Sequence, residues 1–104
     1  MELNTAFGQV LRAIRQQKGL TQEDFSNVSS RTYLSTLERG LKSPTIEKIA
    51  QLAGVLDVHP ATLLLATFIA QEKPGDPGAL VQRVKKELAH LNFASADVAN
   101  QGAG

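Results

Sequence analysis

Residues 19–40 read GLTQEDFSNVSSRTYLSTLERG and contain the signals for two short helices joined by a tight turn. Gly19 is a typical left-handed cap at the end of a preceding helix, and the leucine after it can pack back on the last turn of that helix. Thr21 predicts the N-cap of the next helix, with Asp24 three residues later as in a shortened capping box. That helix spans only about six residues before a turn at 27–29, so the pattern predicts a helix-turn-helix arrangement.

The second of these helices is expected to run from Ser29 or Ser30 to Arg39, with Gly40 as its C-cap. The side chains predicted to point inward are Tyr33, Leu34 and Leu37. Those predicted to point outward are Arg31, Thr32, Ser35, Thr36 and Arg39. The outward set is a stripe of hydroxyl and guanidinium groups, which can reach base edges and phosphates from a major groove. The alternative for the same stripe is an ordinary solvated helix face.

Apolar residues at helical spacing predict further helices on both sides of this segment, and no strand pattern of useful length appears. The first helix carries Phe7, Val10, Leu11 and Ile14 on one face. A fourth begins with Ser43 as cap and Pro44 as first helical residue, and its buried stripe is Ile46, Ile49, Ala50, Ala53 and Leu56. A fifth begins at Pro60 and covers Ala61 to about Ala70. The expected fold is therefore all-α.

The domain organisation follows from the breakers and from the small polar C-terminus. Residues 1–71 are expected to form the helix-turn-helix domain, and residues 72–78, rich in proline and glycine, a linker. Residues 79–93 predict a C-terminal helix with Leu80, Val84, Leu88 and Leu91 on one face. Residues 94–104 are expected to be disordered.

Composition excludes several function classes. The chain has 104 residues, 42% of them apolar, no cysteine and a net charge of +1. The block from Arg12 to Lys42 holds six basic and three acidic residues, an excess that can mark a face meeting phosphates. No nucleophile with a base, carboxylate pair, phosphate-binding glycine loop or metal-ligand set appears, so we expect no enzyme, cofactor or metal site. No secretion signal or membrane-spanning segment is expected either.

The blocks 19–25, 30–40 and 43–46 resemble the phage-repressor-like helix-turn-helix family, which comprises lambda repressor and Cro and is also called XRE-type. The resemblance covers about Phe7 to Leu65. It implies a five-helix DNA-binding domain, here with an additional C-terminal helix, that binds a near-palindromic operator as a homodimer. It also implies a bacterial or phage-encoded protein that is cytoplasmic and associated with the nucleoid through DNA. One departure is a turn about two residues shorter, in which residues 26–28 replace the usual stretch with its glycine.

Carried over by position, the resemblance implies distinct roles for the polar residues. Gln22 matches a residue that contacts a phosphate and braces the recognition helix, and Arg39 and Lys42 match backbone contacts. Arg15 and Glu38 match a charge pair, which could serve structure alone or present the arginine to a phosphate. The full set of expected DNA-contacting residues is Thr21, Gln22, Ser30, Arg31, Thr32, Ser35, Thr36, Arg39 and Lys42.

The fifth predicted helix is apolar nearly all round, so it should be covered on more than one side. We expect a second copy of the chain to cover it, with the interface formed by Leu64, Leu65, Phe68 and Ile69 and supplemented by the C-terminal helix. The alternative is that the C-terminal helix folds back over it and seals a monomer. The function expected from the whole sequence is sequence-specific transcription regulation, with repression preferred. The alternative function is an antitoxin-like or adaptor protein that binds a protein partner through helix 79–93.

Overall fold

The computed structural model describes residues 1–93, and these residues contain helices and no strand. The helices are α1 (Leu3–Gln17), a 3-10 helix (Gln22–Phe25), α2 (Arg31–Glu38), α3 (Ile46–Leu56), α4 (Pro60–Gln71) and α5 (Pro77–His90). This confirms the all-α class and the five helical elements followed by a C-terminal helix. The disorder predicted for 94–104 lies outside the described residues.

The chain divides into two compact units, residues 1–73 and the segment that begins at Pro74. In the first unit α1 packs against α2 and α4, α3 packs against α4, and the 3-10 helix contacts α2 and α3. Its core is built from side chains that every one of these elements contributes. The largest fully buried side chains are Leu11, Phe25, Leu34, Leu37, Leu52, Leu56, Leu63 and Thr67. Burying a leucine or phenylalanine side chain stabilises a fold by about 1.5–3 kcal/mol. The burial of Phe25 therefore holds the four-residue 3-10 helix against the core.

The helix ends confirm the capping predictions around the turn. Gly19 has φ +70° and Gly40 has φ +73°. In both places the residue after the glycine donates its N–H back across the last helical turn: Leu20 N to the Arg15 carbonyl at 3.0 Å and Leu41 N to the Thr36 carbonyl at 3.1 Å. These are the 6→1 bonds of the Schellman motif.

Side-chain caps define where the next two elements begin. The backbone N–H of Thr21 donates to Asp24 Oδ2 at 2.7 Å, which caps the 3-10 helix. Ser30 Oγ accepts from the N–H of Tyr33 at 3.1 Å and caps α2. The helix predicted at about six residues is a four-residue 3-10 turn, because Ser26 N bonds the Glu23 carbonyl at 3.0 Å in the tighter i→i−3 pattern.

The prediction for the start of α3 is wrong. Thr45, not Ser43, is the N-cap, and its Oγ1 accepts from Lys48 N at 3.0 Å. Ser43 and Pro44 precede the helix, in line with the extended backbone that a residue before proline favours.

The predicted buried stripe of α3 is wrong in part. Ile46 is 84% exposed and Ala50 is exposed, and the buried residues are Ile49, Leu52, Ala53 and Leu56. Successive helical residues are rotated by about 100°, so the face that contains Ile49 and Leu56 turns Ala50 toward solvent.

The helices α4 and α5 both begin at a proline. His59 Nδ1 accepts from Ala61 N at 2.9 Å ahead of Pro60, and Asp76 Oδ1 accepts from Gly78 N at 2.9 Å ahead of Pro77. α5 therefore starts two residues earlier than expected, inside the predicted linker, because proline with a capping aspartate starts a helix well.

Among the described residues, no single helix is long and apolar enough to cross a bilayer, and the apolar pair α3 and α4 is bent by 102°.

Candidate nucleic-acid interface

The helix α2 is held by its buried face and offers a polar face at the surface. Leu34 and Leu37 are fully buried, and they fix the middle and the end of the helix. On the other side Arg31, Thr32 and Arg39 are exposed, while Ser35 and Thr36 are half-buried. The predicted outward stripe therefore lies at the surface of the first unit, backed by the leucine core.

Two hydroxyls at this surface, that of the N-cap residue Ser30 and that of Thr36 in the stripe, already form local hydrogen bonds. These bonds decide what each hydroxyl can still offer to a ligand. Ser30 Oγ accepts from Tyr33 N, so its O–H is left to donate. Thr36 Oγ1 donates to the Thr32 carbonyl at 2.9 Å, so its lone pairs are left to accept.

A polar network joins α1, the 3-10 helix and the C-terminal end of α2. Arg15 forms a two-pronged ion pair with Glu38, Nε to Oε2 at 2.6 Å and Nη2 to Oε1 at 3.0 Å. Arg15 Nη1 also donates to the Leu20 carbonyl at 3.0 Å, and Gln22 Nε2 donates to Glu38 Oε1 at 3.3 Å. The two ion-paired side chains are only 12% and 5% exposed. The expected charge pair is thus present, and Gln22 contacts the C-terminal end of α2 through Glu38.

The hydrogen bonds that Arg15 donates to Glu38 raise the pKa of Arg15 above its ordinary value, and the charge of Glu38 acts in the same direction against the opposing effect of burial. Because the pKa of Arg15 is higher in the folded than in the unfolded state, the ion pair stabilises the fold at any pH below the ordinary pKa of arginine. This contribution is lost only as the pH rises through the higher pKa of the folded state. Arg15 is therefore cationic at neutral pH, where it can hold the ion pair with Glu38.

A small polar pocket lies beside the network, between α1 and α2. Its lining residues are Arg12, Arg15, Gln22, Ser35, Glu38 and Arg39. Arg12 and Arg39 are exposed cations on its two sides, and this is an arrangement suited to a phosphate. The sequence places Arg12 in the basic block but does not by itself assign it to the site. The signal was available, because Arg12 and Arg15 are three residues apart and share one helix face.

The remaining expected contacts lie at the edges of this surface. Thr21 is exposed, but its hydroxyl donates to Asp24 Oδ2 at 3.1 Å, so its role in the structure is to cap the 3-10 helix. Lys42 is exposed in the loop after Gly40, where its ammonium group is accessible to a ligand.

The four side chains expected at a dimer interface are on α4, and they differ in exposure. Leu64, Leu65 and Ile69 are half-buried, and Phe68 is 40% exposed. Leu64 and Phe68 line a groove with Leu3, Pro44 and other residues of the first unit. Packing on α1 and α3 therefore covers much of α4 and leaves an apolar edge around Phe68.

Two curated proteins are similar to this chain over the region just described. The uncharacterized HTH-type transcriptional regulator y4dJ of Sinorhizobium fredii is 38% identical over 69 residues, which cover 64% of this chain and 90% of the relative. The control protein C.BamHI of Bacillus amyloliquefaciens is 38% identical over 66 residues, 61% of this chain and 82% of the relative.

Solved structures of a controller protein and of a gene regulator are also similar to this chain. The restriction-modification controller protein C.AhdI of Aeromonas hydrophila has a TM-score of 0.55 at 37% identity, over 58% of this chain and 94% of that one. Two structures of the clp gene regulator ClgR of Corynebacterium glutamicum have TM-scores of 0.60 and 0.62. They are 33% and 28% identical, cover 64% and 88% of this chain, and are themselves covered over 88% and 90%.

The structural elements that build this surface fall within one known family. The helix-turn-helix family matches residues 11–63, about half of the chain, from the middle of α1 into α4. This chain belongs to the XRE-type helix-turn-helix family.

Proposed function

We propose that this chain represses transcription by binding a specific DNA operator as a homodimer, with α2 in the major groove. Membership of the family gives the general function, DNA-binding transcription regulation. The observation that carries the finer proposal is the exposed polar face of α2, backed by the fully buried Leu34 and Leu37. A bound dimer over a promoter would block access of RNA polymerase.

The charges and hydroxyls divide the contacts into two classes. The first class would face base edges, where guanidinium and hydroxyl groups distinguish base pairs. Its members are Ser30, Arg31, Thr32, Ser35 and Thr36. The second class would contact phosphates, and such contacts orient the protein without reading the sequence. Its members are Arg12, Gln22, Arg39 and Lys42. The pocket between Arg12 and Arg39 supports the second class.

Dimerisation through α4 would give the geometry that an operator requires. A two-fold pair places its recognition helices about one DNA turn apart, roughly 34–36 Å. The exposed edge at Phe68 supports this interface, because a second copy would bury it. The expected binding site is a near-palindrome with one half-site for each copy.

Selection of bound fragments from genomic DNA with the full chain tests the proposal. We expect enriched sites with inverted half-sites about 10 bp apart, centre to centre, and an affinity that falls steeply with salt. Absence of any enriched sequence at low salt would contradict sequence-specific binding. A reporter carrying the selected site upstream of its start, assayed with and without the protein, then tests repression against activation.

A second candidate function is an adaptor or antitoxin-like role through α5. Leu88 on this helix is 41% exposed and Leu91, its C-cap residue, is 64% exposed, so these apolar side chains are accessible to a partner. Co-purification with the product of a neighbouring gene, lost in Leu88→Glu and retained in Lys85→Glu, would support it. Operator binding with no retained protein would favour the regulator.

A further inference from the structure

Lys48, in the first turn of α3, joins three segments around the N-terminal end of α2. Its backbone N–H is held by the Thr45 hydroxyl at 3.0 Å, which sets the start of its own helix. Its Nζ donates to the backbone carbonyl of Val28 in the turn. The same ammonium lies 5.9 Å from the centroid of the Tyr33 ring, within the range of a cation–π interaction. The side chain is half-buried, so these contacts are partly protected from water.

The turn before α2 is closed by its own backbone hydrogen bonds and is joined to α3 by the contact with Lys48. The Phe25 carbonyl accepts from both Val28 N and Ser29 N, each at 2.9 Å, which closes the turn on the 3-10 helix. The Val28 carbonyl accepts its hydrogen bond from the ammonium of Lys48. Leaving a half-buried carbonyl without a hydrogen-bond partner costs free energy. The hydrogen bond from Lys48 therefore favours a turn that stays joined to α3.

The two ends of α2 are held in different ways. At the C-terminal end, the buried Leu37 and the Arg15–Glu38 pair hold the helix to α1. At the N-terminal end, Arg31 and Thr32 are exposed and Tyr33 is only half-buried. Lys48 contributes a polar contact at that more exposed end. Since α2 has eight residues and is about 12 Å long, a small tilt about Leu34 moves the Arg31 side chain relative to the bases.

We infer that Lys48 is a positioning residue that sets the angle at which α2 presents Arg31 and Thr32, and thereby sets which bases the protein selects. This inference rests on the proposed function. It assigns no contact between Lys48 and DNA: the residue acts through the turn carbonyl and the Tyr33 ring. Hydrogen bonds to base edges tolerate small errors of position only, whereas phosphate contacts from long side chains can adjust.

The test compares Lys48→Met, which keeps the length of the side chain but removes its donor and charge, with two controls. Lys18→Met removes the same charge from an exposed position after α1, and Lys48→Arg keeps a cationic donor. Sequence preference is measured by selection from random DNA, and affinity for an unrelated duplex is measured at several salt concentrations.

We expect Lys48→Met to lose about tenfold in discrimination at the half-site positions read by the start of α2, roughly the partial loss of one base contact. Its affinity for unrelated DNA should change no more than that of Lys18→Met, and Lys48→Arg should retain the preference. If Lys48→Met keeps the wild-type preference, or loses specific and non-specific affinity equally, the inference is wrong.

Two further results separate the possible failures. If Lys48→Met does not fold, as judged by circular dichroism, two variants of Tyr33 test the same contact from the other side. Tyr33→Leu removes the ring and should relax the sequence preference. Tyr33→Phe keeps the ring and should retain the preference. Equal preference in both variants would overturn the inference. If the wild-type protein itself selects no sequence, the proposed function fails, which is a result distinct from a Lys48 variant that selects normally.

Discussion

At the residue scale, Arg31 is the side chain best suited to read a base. It is exposed at the start of α2, and a guanidinium can donate two hydrogen bonds to guanine. We predict that Arg31→Ala loses about 1–3 kcal/mol of discrimination at one position of the half-site, as measured by selection from random DNA. Arg83→Ala, which removes an exposed arginine from α5, is the matched control and should leave the preference unchanged. An intact preference in Arg31→Ala would remove this residue from the base-reading set.

The cations around the polar pocket should behave differently from Arg31. Arg12 is an exposed side chain lining the pocket, and Lys42 is exposed in the loop after α2. We predict that Arg12→Ala and Lys42→Ala each weaken binding to all DNA sequences alike and lower the slope of log affinity against log salt by about 1. Titrations of operator and unrelated DNA at several salt concentrations check this. A change confined to the operator would show that the residue reads bases instead.

At the scale of elements, the close approach of α1 to the end of α2 decides where α2 lies. A Cβ added at Gly8 would meet the Leu37 and Glu38 carbonyl oxygens at 2.5 Å, so the two backbones are in direct contact there. Gly40 makes a second close approach, since a Cβ added there would lie 2.8 Å from the Thr5 Cα, in addition to its positive φ. The resulting position of α2 also brings Arg15 to Glu38.

This packing predicts opposite effects for two helical glycines. Gly8→Ala should destabilise the fold by about 1–3 kcal/mol, because the methyl group would force α1 away from the backbone of α2. Gly54→Ala, in α3 with nothing within 4 Å of the added atom, should stabilise it by about 0.5–1 kcal/mol through the better helix propensity of alanine. Urea unfolding of both variants measures the difference. Equal effects of the two substitutions would contradict the close α1–α2 contact.

At the scale of the whole molecule, the proposed regulator needs two copies to match a two-fold operator. Phe68 is 40% exposed on α4 beside the groove that it lines with Leu64, so it is the natural centre of the interface. We predict that Phe68→Asp halves the mass measured by light scattering, since the interface would have to bury an unpaired carboxylate. Ile46→Asp, at an apolar side chain that is 84% exposed on α3, should leave the mass unchanged. A wild-type mass in Phe68→Asp would exclude this interface.

The sequence predicted what depends on local signals and failed where longer-range contacts compete. Gly19, Gly40 and Thr21 were identified correctly because glycine tolerates a positive φ and a threonine–aspartate pair caps a helix within four residues. Ser43 was wrong as a cap because Thr45, two residues on, offers an equally good hydroxyl, and local propensity does not rank the two. Arg12 and Lys48 were missed because their roles depend on neighbours that the fold supplies.

By itself, the sequence determined that the fold is all-α, where α2 and α4 begin and end, and that a polar stripe on α2 lies opposite its leucines. These properties follow from the 3.6-residue period and from caps spanning a few residues. Only the tertiary structure decided that Arg15 and Glu38, 23 residues apart, meet in a nearly buried pair and that Lys48 reaches the Val28 carbonyl. The physical reason is that such contacts depend on how the helices pack, and the packing is set by the whole core rather than by any one segment.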